Sequence, residues 1–135
     1  MSKSTNSMSA ELARRLQQED ILWFTTVTPN GVPVPNPVWF LWDGEHILVY
    51  SEPTSFRVRN IRNNPHVALT LQGVDGLGNN VAIINGEAEL RFDNRQIPEG
   101  YWKKYRGLLQ NDTPESMTNS YNVEIRVTPT RIRAE

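Results

Sequence analysis

Apolar positions change period several times along the chain. Leu12 and Leu16 stand four apart, Arg14, Arg15, Gln17 and Gln18 fall mostly on other faces, and Ser9 precedes them as a cap; this predicts a short helix over residues 9–19. Residues 21–28 are β-branched and aromatic, and Pro29-Asn30-Gly31 joins a preset φ to residues that tolerate positive φ, so a strand ends in a turn. Residues 34–42 form the next strand, Asp43-Gly44 the next turn, and residues 47–50 the strand after it. The period then returns to helical over residues 55–64, with Thr54 or Ser55 as cap, Phe56, Val58 and Ile61 as the apolar contacts and Pro65 as the stop.

Residues 66–71 alternate and run into a glycine-rich loop over 73–80. Residues 81–92 make a long strand in which Gly86 marks a bulge or bend. Pro98 opens a helix to about residue 109, whose Tyr101, Trp102, Tyr105 and Leu108 recur at helical spacing, and Val123, Ile125 and Val127 alternate in a final strand before Pro129. The predicted fold is mainly β (α+β), a six-stranded antiparallel barrel with short flanking helices, because the strands are joined by hairpins or short helical links. A doubly wound parallel sheet is disfavoured by the first three strands, which have no helix between them.

Composition narrows the chemistry. At 135 residues the chain holds one domain, read as residues 9–135 behind a polar, disordered tail over 1–8. Lys+Arg 14 against Asp+Glu 15 gives a net charge of -1, which offers no field to draw nucleic acid. Without cysteine there is no thiolate nucleophile or iron–sulfur site, and two histidines supply too little for a metal centre. No apolar run approaches the roughly 20 residues of a membrane span, and the start of the chain does not read as a signal peptide, so a soluble cytoplasmic protein is expected.

The stretch with most chemical content is Tyr50-Ser51-Glu52-Pro53-Thr54-Ser55-Phe56-Arg57. A strand end delivers hydroxyls into a turn, and the helix start that follows offers free N–H groups with Arg57 in its first turn, which together suit a phosphate. The same spacing also describes an ordinary capped helix with a solvated arginine face. Pro33, Pro35 and Pro37 place carbonyls on a strand edge without competing N–H donors, while Asn36 and Val38 keep theirs, so this edge either meets ligand heteroatoms through its backbone or simply guards against aggregation. Trp102, with Tyr101 and Tyr105, either walls a ring pocket or packs the core. His46 and His66 read as surface positions, and Glu87, Glu89 and Asp93 share one wet strand face, so no catalytic side chain is assigned.

Pro35-Asn36-Pro37-Val38-Trp39-Phe40, the Asp43-Gly44 turn, Tyr50-Ser51, Ser55-x-Arg57, Asn60-Ile61-x-x-Asn64-Pro65 and Gly86-x-Ala88-Glu89 resemble the pyridoxamine 5'-phosphate oxidase-like superfamily, and most closely its small branch of probable F420-dependent oxidoreductases. The resemblance covers about residues 9–133. It implies an FMN-binding type of split barrel that forms a homodimer, with F420 or FMN in grooves at the interface. It further implies that Pro35, Asn36, Pro37, Val38 and Trp39 run beside the tricyclic ring, that Tyr50 and Ser51 contact the cofactor, and that Arg57 with Ser55 holds the phosphate. The chain departs from the oxidases proper at Phe56, where they carry a second phosphate-binding arginine, at Asn80 or Val81, where they carry a ring-contacting glutamine, and in residues 121–135, where their Trp and Arg motif is missing.

The expected function is a flavin- or deazaflavin-dependent oxidoreductase passing hydride between the cofactor and a small unsaturated or quinone-like substrate. The alternatives are a non-catalytic FMN or F420 carrier or sensor on the same barrel, and an FMN-dependent oxidase of that fold. F420 bears a lactyl-oligoglutamate tail, for which Arg59, Arg62, Lys103, Lys104 and Arg106 are the candidate cations.

Overall fold

The computed structural model describes residues 3–5, 8–73, 76–92 and 97–134. Among these, β2 (Leu22–Val27), β3 (Pro33–Val38), β4 (Leu41–Trp42), β5 (Ile47–Ser51), β6 (His66–Leu71), β7 (Ala82–Arg91) and β8 (Val123–Ala134) form one antiparallel sheet in the order β3-β2-β6-β7-β8-β5-β4. The two ends of that path, β3 and β4, are separated in sequence only by Trp39 and Phe40. A link that short spans about 10 Å, whereas the strands of a flat sheet would set its edges roughly 29 Å apart. The sheet therefore has to curl into a split barrel.

Its interior is filled by inward residues of the strands, among them Phe24, Ile47, Leu69, Ile84 and Ile125, and by Phe40 from the β3–β4 link. Helix α1 (Ala10–Gln18), capped by Ser9 through the Leu12 N–H at 3.1 Å, adds Leu12 and Leu16 to this core. Helix α2 (Phe56–Asn63) adds Val58 and Ile61 as buried contacts and is pinned by a buried polar pair, Asn60 Nδ2 donating to Thr26 Oγ1 at 3.0 Å. A second apolar cluster lies on the outer face of β5: Leu48 and Tyr50 meet Tyr101, Trp102 and Tyr105 of α3 (Glu99–Tyr105), with Leu109 just beyond the 3-10 turn Arg106–Leu108. Helix α4 (Pro114–Ser120) completes this excursion between β7 and β8.

Four differences from the sequence reading have physical causes. The strand expected over 34–42 is broken at Trp39-Phe40, so the sheet path has seven strands rather than six. The polar groups freed at the break are taken by α3: the Phe40 N–H donates to Tyr105 Oη at 3.0 Å, and Lys104 Nζ donates to the Phe40 carbonyl at 3.2 Å. The helix expected to reach residue 109 ends at Tyr105 and tightens into the 3-10 turn. Helix α4 was not expected, although Thr113 caps it and Pro114 occupies its first turn, because it buries no residue and carries no apolar stripe.

The last strand continues through Pro129 to Ala134 because the β7–β8 register shifts there: Asn85 pairs with Arg131 and Gly86 with Pro129, leaving Thr130 as the extra residue. Gly86 is obligatory at this bulge, since a Cβ would lie 2.6 Å from Val127 Cγ1 and 2.8 Å from the Thr128 carbonyl. Of the tail expected to be disordered, Lys3–Thr5 (β1) pairs with β8 at residues 132–134, and residues 1, 2, 6 and 7 lie outside the described residues.

The three prolines of β3 pair opposite Val27, Thr25 and Trp23. An antiparallel ladder draws its donors from alternate residues, so Val34, Asn36 and Val38 serve β2 while the proline phase turns outward. The free edge of β3 consequently offers carbonyl acceptors and no N–H.

Candidate functional site

The start of α2 is built by local rules. The turn after β5 closes with the Ser55 N–H on the Glu52 carbonyl at 3.1 Å, and Ser55 Oγ then accepts from the Val58 N–H at 3.3 Å as the N-cap. Arg57, in the first turn, reaches back so that its Nε donates to Ser51 Oγ at 3.3 Å, tying the strand end to the helix start. Ser51 is fully buried and Arg57 half buried. Burial pushes the Arg57 guanidinium below its ordinary value, an effect that nearby Tyr121 opposes. Among the described residues no carboxylate pairs with Arg57.

This guanidinium faces a cleft of about 490 Å³. On the sheet side the cleft is lined by Pro37, Val38, Trp39, Val49, Tyr50 and Arg57. The opposite wall comes from the helical excursion: Tyr101, the strap from Leu108 through Asp112, Met117 and Tyr121. Aromatic rings hold the two walls together. Trp39 stacks on Tyr105 with centroids 4.5 Å apart and planes 5° from parallel, and Tyr50 meets Tyr101 edge-on at 5.2 Å. Offset or edge-on pairs of this kind add about 0.5–1.5 kcal/mol each beyond area burial.

Polar groups behind the rings are matched. Tyr105 Oη lies 2.7 Å from the Asp20 carbonyl and 3.0 Å from that of Phe40, so its one proton serves this pair of acceptors while it receives the Phe40 N–H. Tyr50 Oη donates to Glu124 Oε1 at 3.1 Å, and Glu124, almost fully buried on β8, also accepts from Arg126 at 2.9 Å. Burial first, then the Glu124 charge, pushes the Tyr50 hydroxyl well above the usual phenol range, and burial does the same for Tyr101 and Tyr105. Lys104 is pushed down to about 8 by burial, against the pull of Asp20 and Glu19.

The sequence-predicted residues fall into three groups. Pro37, Val38, Trp39, Tyr50 and Arg57 line one cleft, and Ser51 and Ser55 sit directly behind Arg57, the first bonded to its guanidinium and the second spent on the helix cap. Pro35 and Asn36 lie farther along β3, opposite Thr25 and Phe24, and do not line it. Trp102 faces away: it borders a separate groove with Pro98 and Pro114, and its ring meets Tyr101 edge-on at 5.2 Å. His46 and His66 lie near Asp43 and Glu87, at 3.5 and 3.8 Å, outside the cleft. Glu87 and Glu89 are exposed as expected, and Asp93 lies outside the described residues. Sequence reasoning missed Gln110, Asp112, Met117 and Tyr121; the Thr113-Pro114 start signal was the one local clue to the element that presents the last two.

Among the described residues no helix is long and apolar enough to cross a membrane. No curated protein matches the sequence significantly. Solved structures do match. A Listeria innocua protein described provisionally as a pyridoxamine 5'-phosphate oxidase superposes with a TM-score of 0.71 at 25% identity, covering 92% of this chain and 94% of that one. An F420 reductase gives 0.69 at 25% identity, with 88% and 94% covered. A FAD-binding protein from Mesorhizobium loti shares the fold with a TM-score of 0.65 at 14% identity, covering 100% of this chain and 99% of that one. A family profile described as pyridoxamine 5'-phosphate oxidase matches residues 8–135, nearly the whole chain, and with the curled antiparallel sheet it establishes that the chain belongs to the pyridoxamine 5'-phosphate oxidase family.

Proposed function

We propose that the chain is a flavin-type oxidoreductase that binds F420 or FMN in the cleft facing Arg57 and passes hydride between that cofactor and a small unsaturated or quinone-like substrate. The observation that carries this reading is a half-buried guanidinium, without a carboxylate partner among the described residues, beside the first turn of α2 and at the mouth of an aromatic cleft. A cation held this way favours an anion, and the guanidinium fork matches phosphate oxygens. The cleft volume falls within the roughly 300–1,000 Å³ usual for ligand sites. Family membership and the neighbours named as an F420 reductase and a FAD-binding protein support the same reading.

In this proposal Arg57 neutralises the phosphate with Ser51 steadying its Nε. Trp39, Tyr50 and Tyr101 flank the ring and keep water from it, and the Pro37 carbonyl is available to a ring N–H. When bound, the cofactor supplies the redox chemistry, so the protein needs no covalent or acid–base side chain of its own. Arg57→Ala is expected to weaken FMN or F420 binding about ten- to a hundredfold, the worth of a charged hydrogen bond, while leaving the thermal midpoint nearly unchanged. Equal losses of binding and stability, read by calorimetry and thermal melts, would make Arg57 a structural residue. Oxidation of the reduced cofactor by a panel of quinones and enones separates the oxidoreductase from a carrier, which binds without turnover.

Two copies are proposed to pair through the outer face of β2 and β3, where Trp23 is 40% exposed, the prolines of β3 are uncovered and Ile21 and Val32 are 42% and 54% exposed. An apolar set of this kind on a sheet marks an association surface. Light scattering that finds a dimer in the wild type and a monomer in Trp23→Glu supports the pairing; a monomeric wild type ends it.

A further inference from the structure

Resting on the flavin reading above, we infer that the cleft selects a carrier with a single anionic group, FMN, over one with additional carboxylates, F420, and that Asp112 on the strap sets this preference. Among the described residues that line the cleft, only Arg57 and Asp112 bear a formal charge. The first can answer one phosphate. The second is negative and opposes whatever further negative charge the ligand brings.

The spacing of the two charges follows from α4. Tyr121, which ends that helix, lies close enough to Arg57 to act on its charge, and Asp112 stands just before the N-cap Thr113. Seven helical residues rise about 10 Å. Asp112 is exposed, so salt screens its charge over about 8 Å at physiological strength, and it lines the same cleft of about 490 Å³ as Arg57. Carboxylates strung from a phosphate at Arg57 fall within reach of this field.

The cations named above for a polyanionic tail are engaged elsewhere or line no part of the cleft. Lys104 donates to the Phe40 carbonyl at 3.2 Å and lies 3.7 Å from the Phe40 ring centroid. Arg106 pairs with Glu99 at 2.9 Å, and Arg62 sits over Phe92 at 4.8 Å. Arg59 and Lys103 are exposed and line no part of the cleft.

Calorimetric titration of the full chain with FMN, F420 and riboflavin tests this in the wild type, Asp112→Asn and Asp112→Lys. Wild type is expected to bind FMN about tenfold more tightly than F420, and Asp112→Lys to shrink that ratio about fivefold through gain on F420, with Asp112→Asn between them. Raising salt from about 50 to about 500 mM is expected to narrow the wild-type gap. Asp112 is exposed, so unchanged melting temperatures verify that both variants fold. F420 binding as tightly as FMN, or a ratio unmoved by Asp112→Lys, overturns the inference while leaving the phosphate site at Arg57 intact. Riboflavin binding as tightly as FMN, or silence toward all three, removes that phosphate site and this inference with it.

Discussion

The two walls of the cleft are made differently. The sheet-side wall is part of the barrel itself: Val38 and Val49 belong to the barrel core, Val49 is 1% exposed, and Ser51, behind Arg57, is wholly enclosed. The facing wall is a helical excursion in which α4 buries nothing and Leu108, in the 3-10 turn, is 50% exposed. Its chain reverses at Gln110 with φ 55°, a left-handed conformation that a non-glycine residue adopts at some cost. One wall is therefore fixed by the barrel core, while the other rests on a smaller cluster of α3 rings with Leu48 and Leu109, tied to the sheet by the Tyr105 hydroxyl and Lys104. In the proposed reading, anchoring belongs to the first and selection to the second.

The sharpest way to break this contrast is at the tie between the walls. Tyr105→Phe deprives the buried Phe40 N–H of its acceptor, so a loss of about 1–3 kcal/mol in stability is expected, together with weaker ligand binding as Trp39 loses its fixed stacking partner. Denaturant melts and ligand titration read the two effects, and an unchanged melt would show that the corner is held by packing alone. A smaller effect separates the helix caps. Ser55→Ala on the sheet side is expected to cost about 1 kcal/mol of global stability, whereas Thr113→Ala is expected to be nearly silent in the melt and to raise hydrogen exchange within α4. Equal costs at the two caps would place α4 in the same cooperative unit as the barrel.

A further effect is in pH. Lys104 titrates near 8 in the folded protein against an ordinary value of 10.5, so between those pH values the unfolded chain binds more protons and stability rises with pH. Tyr50, Tyr101 and Tyr105 keep their protons longer when folded, so above about pH 10 the slope reverses. Melts from pH 7 to 11 are expected to pass through a shallow maximum, and Lys104→Met is expected to remove its rising limb.

How much was legible in the sequence follows the same division. Strand alternation in β2, β6 and β7, the leucine pair of α1, the Gly86 bulge and the Ser55-x-Arg57 start of α2 could be read because each follows from a local rule of period, cap or turn. Pro129 misled, because its place opposite Gly86, where no side chain competes for room, is a fact about two strands 43 residues apart in register. The burial of Glu124 has no local sign either, because it comes from partners on neighbouring strands: Tyr50 opposite it on β5 and Arg91 opposite it on β7, with Arg126 two residues along β8. Asp112 has no signature at all: a carboxylate in a polar loop acquires meaning only when α3 and α4 set the strap across from Arg57. The residue names of the anchoring wall were available in advance, and those of the selecting wall needed tertiary structure.

The donor-free margin of β3 carries one more implication. A strand arriving there could give its N–H groups to the carbonyls of Pro33, Pro35 and Pro37 but would find nothing for its own carbonyls, so half of any new ladder would be lost. Growth by adding strand to strand, the geometry of fibrils, is thereby blocked at this boundary. The pairing proposed above, through side chains on the flat of the sheet, does not use this edge and is compatible with it.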